Sequence, residues 1–377
     1  MVRAVLEWIR GGNDARVLAD AAARTYPLRT ILIAAGLPVA ILLLGVLVRI
    51  GMHPARDIDE REFMNVGRHI LETGLPLQTT FKPAHLFFDH TPLYPYFVAL
   101  IEALPGPATL MIRAASLGFG VLTVLLVFLI GLRVRGLGAA LVGSALVAAN
   151  PFWITYSWYV RMEVPLSFFL VLATWLVIRE RYLLAGLAIM VAVMLKEIAL
   201  GFWILAVGYV LVRRSWRKAA LIALPSPIAI AAWFAYAYSL DANELMSSLE
   251  RWGRSSVGDE ADNRRFEVPP LVWLNRLLAQ VIGTLLTFAA GAAAVLAGLR
   301  RDAAHSIVLV TGAYCLLAVG TSFLISLKEV RFLIAVVPML SLTVALLVDW
   351  DAVWAQLRGA WRRPAVISQG SGEPGRT

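Results

Sequence analysis

The sequence has little charge, one cysteine and none of the short nucleotide- or metal-binding motifs, and each shortage excludes a class of protein. Only 16% of the 377 residues are charged, against about a quarter in a soluble domain. Because 59% are hydrophobic and the mean hydropathy is +0.74, lipid is the main solvent. Cys315 is the single cysteine and sits within an apolar run, which leaves no intrachain disulfide framework and no zinc knuckle. There is no Gly-rich loop ending in Lys-Ser/Thr, no HExxH, no GxSxG and no paired His/Cys spacing. ATP hydrolysis, zinc proteolysis and serine hydrolysis all lose support. No internal repeat is visible either, which weighs against a transporter built from inverted halves.

What is present is a succession of apolar runs near the 18 to 20 residues or so that cross a bilayer. They read as helices, and the sequence predicts about ten spans at 30–50, 110–132, 137–156, 163–178, 183–195, 198–212, 219–239, 271–298, 305–326 and 331–349. Residues 183–212 read equally well as two short helices or one kinked helix. The fold class is therefore all-α, a polytopic transmembrane bundle over residues 30–350, with tails at 1–29 and 351–377. The net charge of +9 is first a question of topology. With the N-terminus in the cytoplasm, Arg133/Arg135, Arg179/Arg181, the Arg213–Lys218 cluster, Arg300/Arg301 and the C-terminal tail all fall on the cytoplasmic side, as the positive-inside rule requires. The basic excess thus accounts for orientation and attraction to anionic lipid, and no nucleic-acid partner is expected.

Two long stretches, 51–109 and 240–270, then face the other side. The first opens on DIDEREFMNVGRHILETGLP, where Phe63, Val66, Ile70 and Leu71 recur beside Arg61, Glu62, Arg68 and Glu72. That spacing predicts an amphipathic helix lying along the membrane surface and ended by Gly74 and Pro76. The prolines and aromatics of FKPAHLFFDHTPLYPYFVALIEALPG, residues 81–106, suggest a second short interfacial segment. Residues 246–270 are polar with little periodicity and read as a mobile flap or acceptor-binding loop. The Gly/Ser/Pro-rich C-terminal tail reads as disordered.

Ionisable residues at a membrane boundary are expensive to bury, so each is a functional candidate when a partner can be named. Asp57, Asp59 and Glu60 open the surface helix. They serve either as a good helix start or as a carboxylate poised as general base toward an acceptor. Arg161 and Glu163 lie in a turn between spans, flanked by Trp153, Tyr156, Trp158 and Tyr159. They form an interfacial salt bridge, ligate a cation, or orient the first carboxylate. Lys196-Glu197 sits between two apolar runs, with a snorkelling lysine as the bland alternative. Lys82, His85, His90, Arg113, Lys328 and Arg331, the last two flanking Glu329, add cations to an otherwise acidic face, the pattern that holds a phosphate; His90 is equally a simple hydrogen-bonding loop residue. A divalent cation held by Asp59, Glu163 and Glu197 is one candidate; no cofactor is otherwise required.

In order along the chain, these positions resemble the membrane-embedded GT-C glycosyltransferases of the protein-mannosyltransferase and lipid A aminoarabinose-transferase type (glycosyltransferase family 39). The matching elements are Asp59-Glu60 with Gly74-Leu75-Pro76, His90-Thr91-Pro92-Leu93-Tyr94, Arg113 with Ser116, Arg161-Met162-Glu163-Val164-Pro165, Lys196 after Gly186, and Arg331-Phe332 with Pro338. The likeness covers about residues 40 to 345. It departs from the family in that Lys82-Pro83 stands apart from Pro92-Leu93, and in that Glu163 replaces the commoner Asp. The chain is also shorter than many members and lacks a globular C-terminal domain, which points to a prokaryotic plasma membrane.

The resemblance implies a polyprenyl-phosphate sugar as donor and an acceptor glycan, lipid or protein on the extracytoplasmic face. Asp59 would be the base of an inverting transfer, with Glu60, Arg161 and Glu163 orienting it. Lys82, His90, Tyr94, Arg113, Lys196, Glu197, Lys328 and Arg331 would bind substrate or the donor phosphate. The rivals from other classes are a lipid-linked-substrate transporter or flippase, and a non-catalytic membrane subunit.

Overall fold

The computed structural model describes residues 26–52, 58–80, 84–88, 90–257, 310–317 and 334–361. Lys82, Lys328 and Arg331 lie outside these, as do Asp57, the expected span 271–298, most of 305–326, residues 258–270 of the second loop and most of both tails. The described chain is helical apart from one two-stranded ribbon. Helix α1 (Leu28–Met52) is apolar on every side, the mark of a helix surrounded by lipid or core rather than water. Its Leu32, Ile33, Leu37, Leu44 and Leu47 remain exposed, while Leu42 and Val46 are buried against the bundle.

The segment after it forms α2 (Ile58–Thr73), as its periodicity predicts. Phe63 and Val66 are buried, Ile70 is half-buried, and Leu71 points away from that face. Gly74 ends the helix at φ +75°, a left-handed backbone that favours glycine. The chain then pairs β1 (Leu77–Gln78) antiparallel with β2 (His85–Leu86). Helix α3 (Leu93–Glu102) follows and packs along α2.

Helix α4 (Ala108–Val134) has 27 residues, roughly 40 Å at 1.5 Å per residue, enough to cross the bilayer with tilt. The next expected span, 137–156, is broken in two: α5 (Leu137–Ala148) and the short α6 (Pro151–Tyr156). The break has a local cause. The Asn150 side chain accepts hydrogen bonds from the backbone N–H groups of Phe152 (3.0 Å) and Trp153 (3.1 Å), capping a new helix whose first position is Pro151. Helices α7 (Glu163–Ile178) and α8 (Tyr182–Leu195) pack side by side, and α9 (Ala199–Val212) is separate from α8. At the junction Lys196 adopts an extended backbone (φ −161°, ψ 135°), so residues 183–212 are two helices, not one kinked helix.

Helices α10 (Trp216–Ala223) and α11 (Pro225–Leu240) together make a 25-residue apolar stretch. The polar segment expected to be a flap is instead helical as far as the described residues go: α12 (Ala242–Val257). The Asp241 carboxylate accepts from the Asn243 and Glu244 N–H groups, and Leu245 and Ser248, three apart, are buried. Two more helices, α13 (Val337–Leu347) and α14 (Trp350–Trp361), close the described chain.

Among the described residues three helical stretches are long and apolar enough to cross a membrane, Leu28–Ile50, Ala108–Val134 and Trp216–Leu240, and a fourth is a pair bent by 58° at residues 334–356. Five shorter apolar helices accompany them. The protein is thus a multi-pass membrane protein. One core joins α1, α4, α5, α7, α8, α9 and α13 around Leu166, Leu170, Ile189 and Leu342. A second, built from Phe63, Val66, Tyr94, Ile112, Val160, Met162 and Leu195, ties α2 and α3 to one end of α4, α7 and α8. Buried Cys315 is a free thiol.

Helix α8 lies so close to α10 that a Cβ on Gly186 would stand 2.4 Å from the Leu221 carbonyl oxygen. Backbone cannot retreat as a side chain can, so Gly186→Ala is expected to destabilise the protein by about 1–3 kcal/mol, read as a lower thermal unfolding midpoint in detergent.

Candidate active site

Three carboxylates and three cations meet at the end of the bundle marked by the second core. Each comes from an element boundary. Asp59 and Glu60 occupy the first turn of α2, where the helix dipole favours negative charge. Arg113 lies in the second turn of α4. Arg161 precedes α7, Glu163 is its first residue, and Lys196 ends α8.

The pairing is specific. Arg161 Nη1 donates to Asp59 Oδ2 at 2.6 Å. Arg113 grips Glu60 Oε1 with both Nε (2.9 Å) and Nη2 (2.8 Å). Lys196 Nζ donates to Glu163 Oε1 at 2.8 Å. The Glu60 and Glu163 carboxylates are buried, whereas the Asp59 side chain is 26% exposed. Asp59 is therefore the carboxylate of the three that a soluble group reaches. Arg161 is itself held, its guanidinium 5.3 Å from the centre of the Tyr156 ring, and it adds to the positive field around Glu163.

Tyr94 is fully buried among these charges. Burial first, then the Glu163 carboxylate and that of Glu60, push its phenol well above its ordinary pKa. It stays neutral, a hydroxyl donor rather than a phenolate. Its hydroxyl neighbours that of Ser116, and Glu163 Oε2 is enclosed beside them with no hydrogen-bond partner among the described residues. His90 stands between the rings of Phe63 and Phe87, with centroids 6.4 and 5.9 Å away. It lies against the second core.

The structure thus gathers Asp59, Glu60, Tyr94, Arg113, Arg161, Glu163 and Lys196, with His90 alongside. It does not bring in Glu197, which is half-exposed and makes no ion pair among the described residues. Nor do any three His, Cys, Asp or Glu side chains among the described residues form a group able to hold a metal ion. The Arg161–Glu163 bridge that proximity in sequence suggests is replaced by Arg161–Asp59 and Lys196–Glu163. Arg113 and Lys196, read as phosphate ligands, are each engaged by a carboxylate.

Sequence reasoning passed over the polar flank of α2. There Asn65 Oδ1 accepts from the Thr79 backbone N–H (2.9 Å), and Asn65 Nδ2 donates to the Thr79 hydroxyl (3.0 Å). Gln78 donates to Glu62, and His69 Nε2 also meets the Thr79 hydroxyl, at 3.0 Å. The available signal was the row of polar residues at Arg61, Asn65, Arg68 and His69, spaced for one side of a helix.

The model of the dolichyl-phosphate-mannose-protein mannosyltransferase family matches residues 89–238. No curated protein sequence matches the chain significantly. Among solved structures the fold is similar to ArnT from Cupriavidus metallidurans bound to undecaprenyl phosphate, with TM-score 0.62 and 18% identity, covering 86% of this chain and 62% of that one. The apo form of the same protein gives a TM-score of 0.59 at 19% identity, covering 86% and 61%. The archaeal oligosaccharyltransferase AglB from Archaeoglobus fulgidus, in complex with an inhibitory peptide and a dolichol-phosphate, gives 0.52 at 12% identity, covering 86% and 52%. This chain therefore spans about three fifths of the length of ArnT and half that of AglB, and the likeness to both is one of fold.

Removing one partner of a buried pair leaves an uncompensated charge, at a cost of about 3–5 kcal/mol, whereas replacing both by apolar residues is often neutral. Lys196→Met is accordingly expected to lower the thermal unfolding midpoint sharply, and Lys196→Met combined with Glu163→Leu to recover most of the loss. Equal destabilisation by the single and double variants would show that the pair does not act as a unit.

Proposed function

We propose that this chain, whose fold and family match are those of the GT-C membrane glycosyltransferases, moves a sugar from a polyprenyl-phosphate donor to an acceptor on the extracytoplasmic face. The observation that carries this reading is the partly exposed Asp59, gripped by Arg161 and backed by two further ion pairs with buried carboxylates at one end of the bundle. A transporter gathers its charges near the bilayer midplane. Here they cluster where α4 and α7 begin and α8 ends.

In the proposed reaction an acceptor hydroxyl hydrogen-bonds to the Asp59 carboxylate. As the acceptor oxygen attacks the anomeric carbon, its proton passes to Asp59. The bond from that carbon to the phosphate oxygen breaks, configuration inverts, and polyprenyl phosphate departs with the electron pair. Arg161 fixes the carboxylate's orientation, and Glu60 with Arg113 anchors the helix turn that carries it. Lys82, His90, Lys328 and Arg331 are the cations assigned to the leaving phosphate, whose negative charge they would stabilise. An apolar cavity of about 400 Å³, lined by Leu93, Tyr96, Met190, Met194, Trp233 and Tyr236, supports a lipid-linked donor. It adjoins the site in sequence, since Leu93 neighbours Tyr94 and Met194 lies two residues before Lys196.

The sidedness rests on the opposite helix ends. Arg133 closes α4, and Arg179 and Arg181 join α7 to α8, so the basic connectors lie at the other end of the same helices. By the positive-inside rule that end is cytoplasmic.

With radiolabelled polyprenyl-phosphate sugar in proteoliposomes, Asp59→Asn is expected to lower transfer at least 100-fold, the scale of a lost general base. Wild-type transfer by that variant would remove Asp59 from the role. Arg161→Gln is expected to lower kcat more than it raises KM, because it disturbs the orientation of the base rather than donor binding.

A further inference from the structure

We infer that the outer flank of α2 is a binding subsite for a phosphate or comparable anion carried on a hydroxylated molecule. A cavity of about 370 Å³ opens there, lined by Glu60, Arg61, Asn65, Arg68, Thr80 and Thr109, with Met64 at its wall. Arg61, Asn65 and Arg68 are spaced by four and three residues and share one side of the helix. Both arginines are exposed.

The charge balance of the cavity is positive. Glu60 is its one acidic lining residue, and Arg113 neutralises it from behind through two hydrogen bonds. Neither Arg61 nor Arg68 makes an ion pair or hydrogen bond among the described residues, and the Arg68 charge acts on the Glu102 carboxyl nearby. Burial raises the Glu102 carboxyl above its ordinary pKa, the Arg68 charge pulls it down and the Glu72 charge adds to the rise. Two guanidinium groups therefore face the opening with donors to spare, and a guanidinium fork matches the oxygens of a phosphate.

The remaining lining is preorganised. Thr79 holds the Asn65 amide by its backbone N–H and its hydroxyl, which fixes the side chain at the cavity wall. The Thr80 hydroxyl supplies a donor and acceptors, and the Thr109 hydroxyl, which donates to Met64 Sδ (3.3 Å), supplies acceptors suited to sugar or glycerol hydroxyls. Glu60 is a wall of this cavity and the immediate neighbour of Asp59, so a molecule anchored by its anion here presents its hydroxyls beside the proposed base. Within the transferase reading, on which this role rests, the ligand is the acceptor.

The test is direct binding, measured without turnover. Full-length protein in nanodiscs is equilibrated with radiolabelled glucosamine 1-phosphate. Saturable binding is expected, weakened at least tenfold in Arg61→Gln/Arg68→Gln and largely kept in Arg61→Lys/Arg68→Lys, with unchanged thermal unfolding midpoints as the folding control. Unlabelled N-acetylglucosamine should not compete, because it lacks the anion. A parallel arm with phosphatidate in the nanodisc separates the sources of phosphate: displacement of the probe by phosphatidate assigns the subsite to lipid headgroups, and its absence assigns it to soluble or glycan-borne phosphate. Either result supports an anion subsite. No saturable binding of the sugar phosphate or of phosphatidate, competition by the neutral sugar, or wild-type affinity in Arg61→Gln/Arg68→Gln would overturn the inference. Because binding is scored apart from transfer, a failed Asp59→Asn test leaves this measurement interpretable, and the reverse.

Discussion

The rest of the site depends on one buried contact, the 2.8 Å hydrogen bond from Lys196 Nζ to Glu163 Oε1. Both side chains are almost wholly excluded from solvent, so neither charge is tolerable without the other. The pair ties the start of α7 to the end of α8. It thereby explains why the chain breaks between α8 and α9 at Lys196: an extended residue there turns its ammonium inward instead of letting one long helix carry it away. With the start of α7 fixed, Arg161, two residues earlier, is held where Asp59 of α2 meets it.

That anchoring extends outward in layers. Glu163 and Lys196 lie in the interior, Glu60 and Arg113 link the surface helix to α4, and Asp59 with Arg161 reaches the boundary. Each outward step raises exposure. An interfacial helix held by hydrophobic contact alone, through Phe63 and Val66, would be free to slide along its apolar stripe; two ion pairs in its first turn fix register and rotation. Directionless burial supplies the stability and the charged pairs supply the position.

Much of this was legible in the sequence, and the failures have physical causes. The interfacial helix α2 follows from periodicity at Phe63, Val66 and Ile70, and its end from Gly74. The residues of the site were legible because ionisable side chains stand out in an apolar chain. Their pairing was not, since Arg161 is two residues from Glu163 yet binds Asp59, and only the packed helices decide which carboxylate a guanidinium reaches. The break at Asn150-Pro151 carried a cap and a turn signal that hydropathy averaged away. Helix α12 was missed although Leu245, Leu249 and Trp252 recur at helical spacing, because the many polar residues between them give the segment the composition of a loop.

All six members of the three pairs lie between residues 59 and 196. A membrane protein is inserted from its N-terminus as it is made, and a charge that enters the bilayer early must wait for its counterion. Here the waiting is short: by the time Lys196 has been added, with about half of the 377 residues synthesised, none of these three pairs depends on a partner from later in the chain. The order of residues along the chain is thus also a schedule for neutralising charge during assembly.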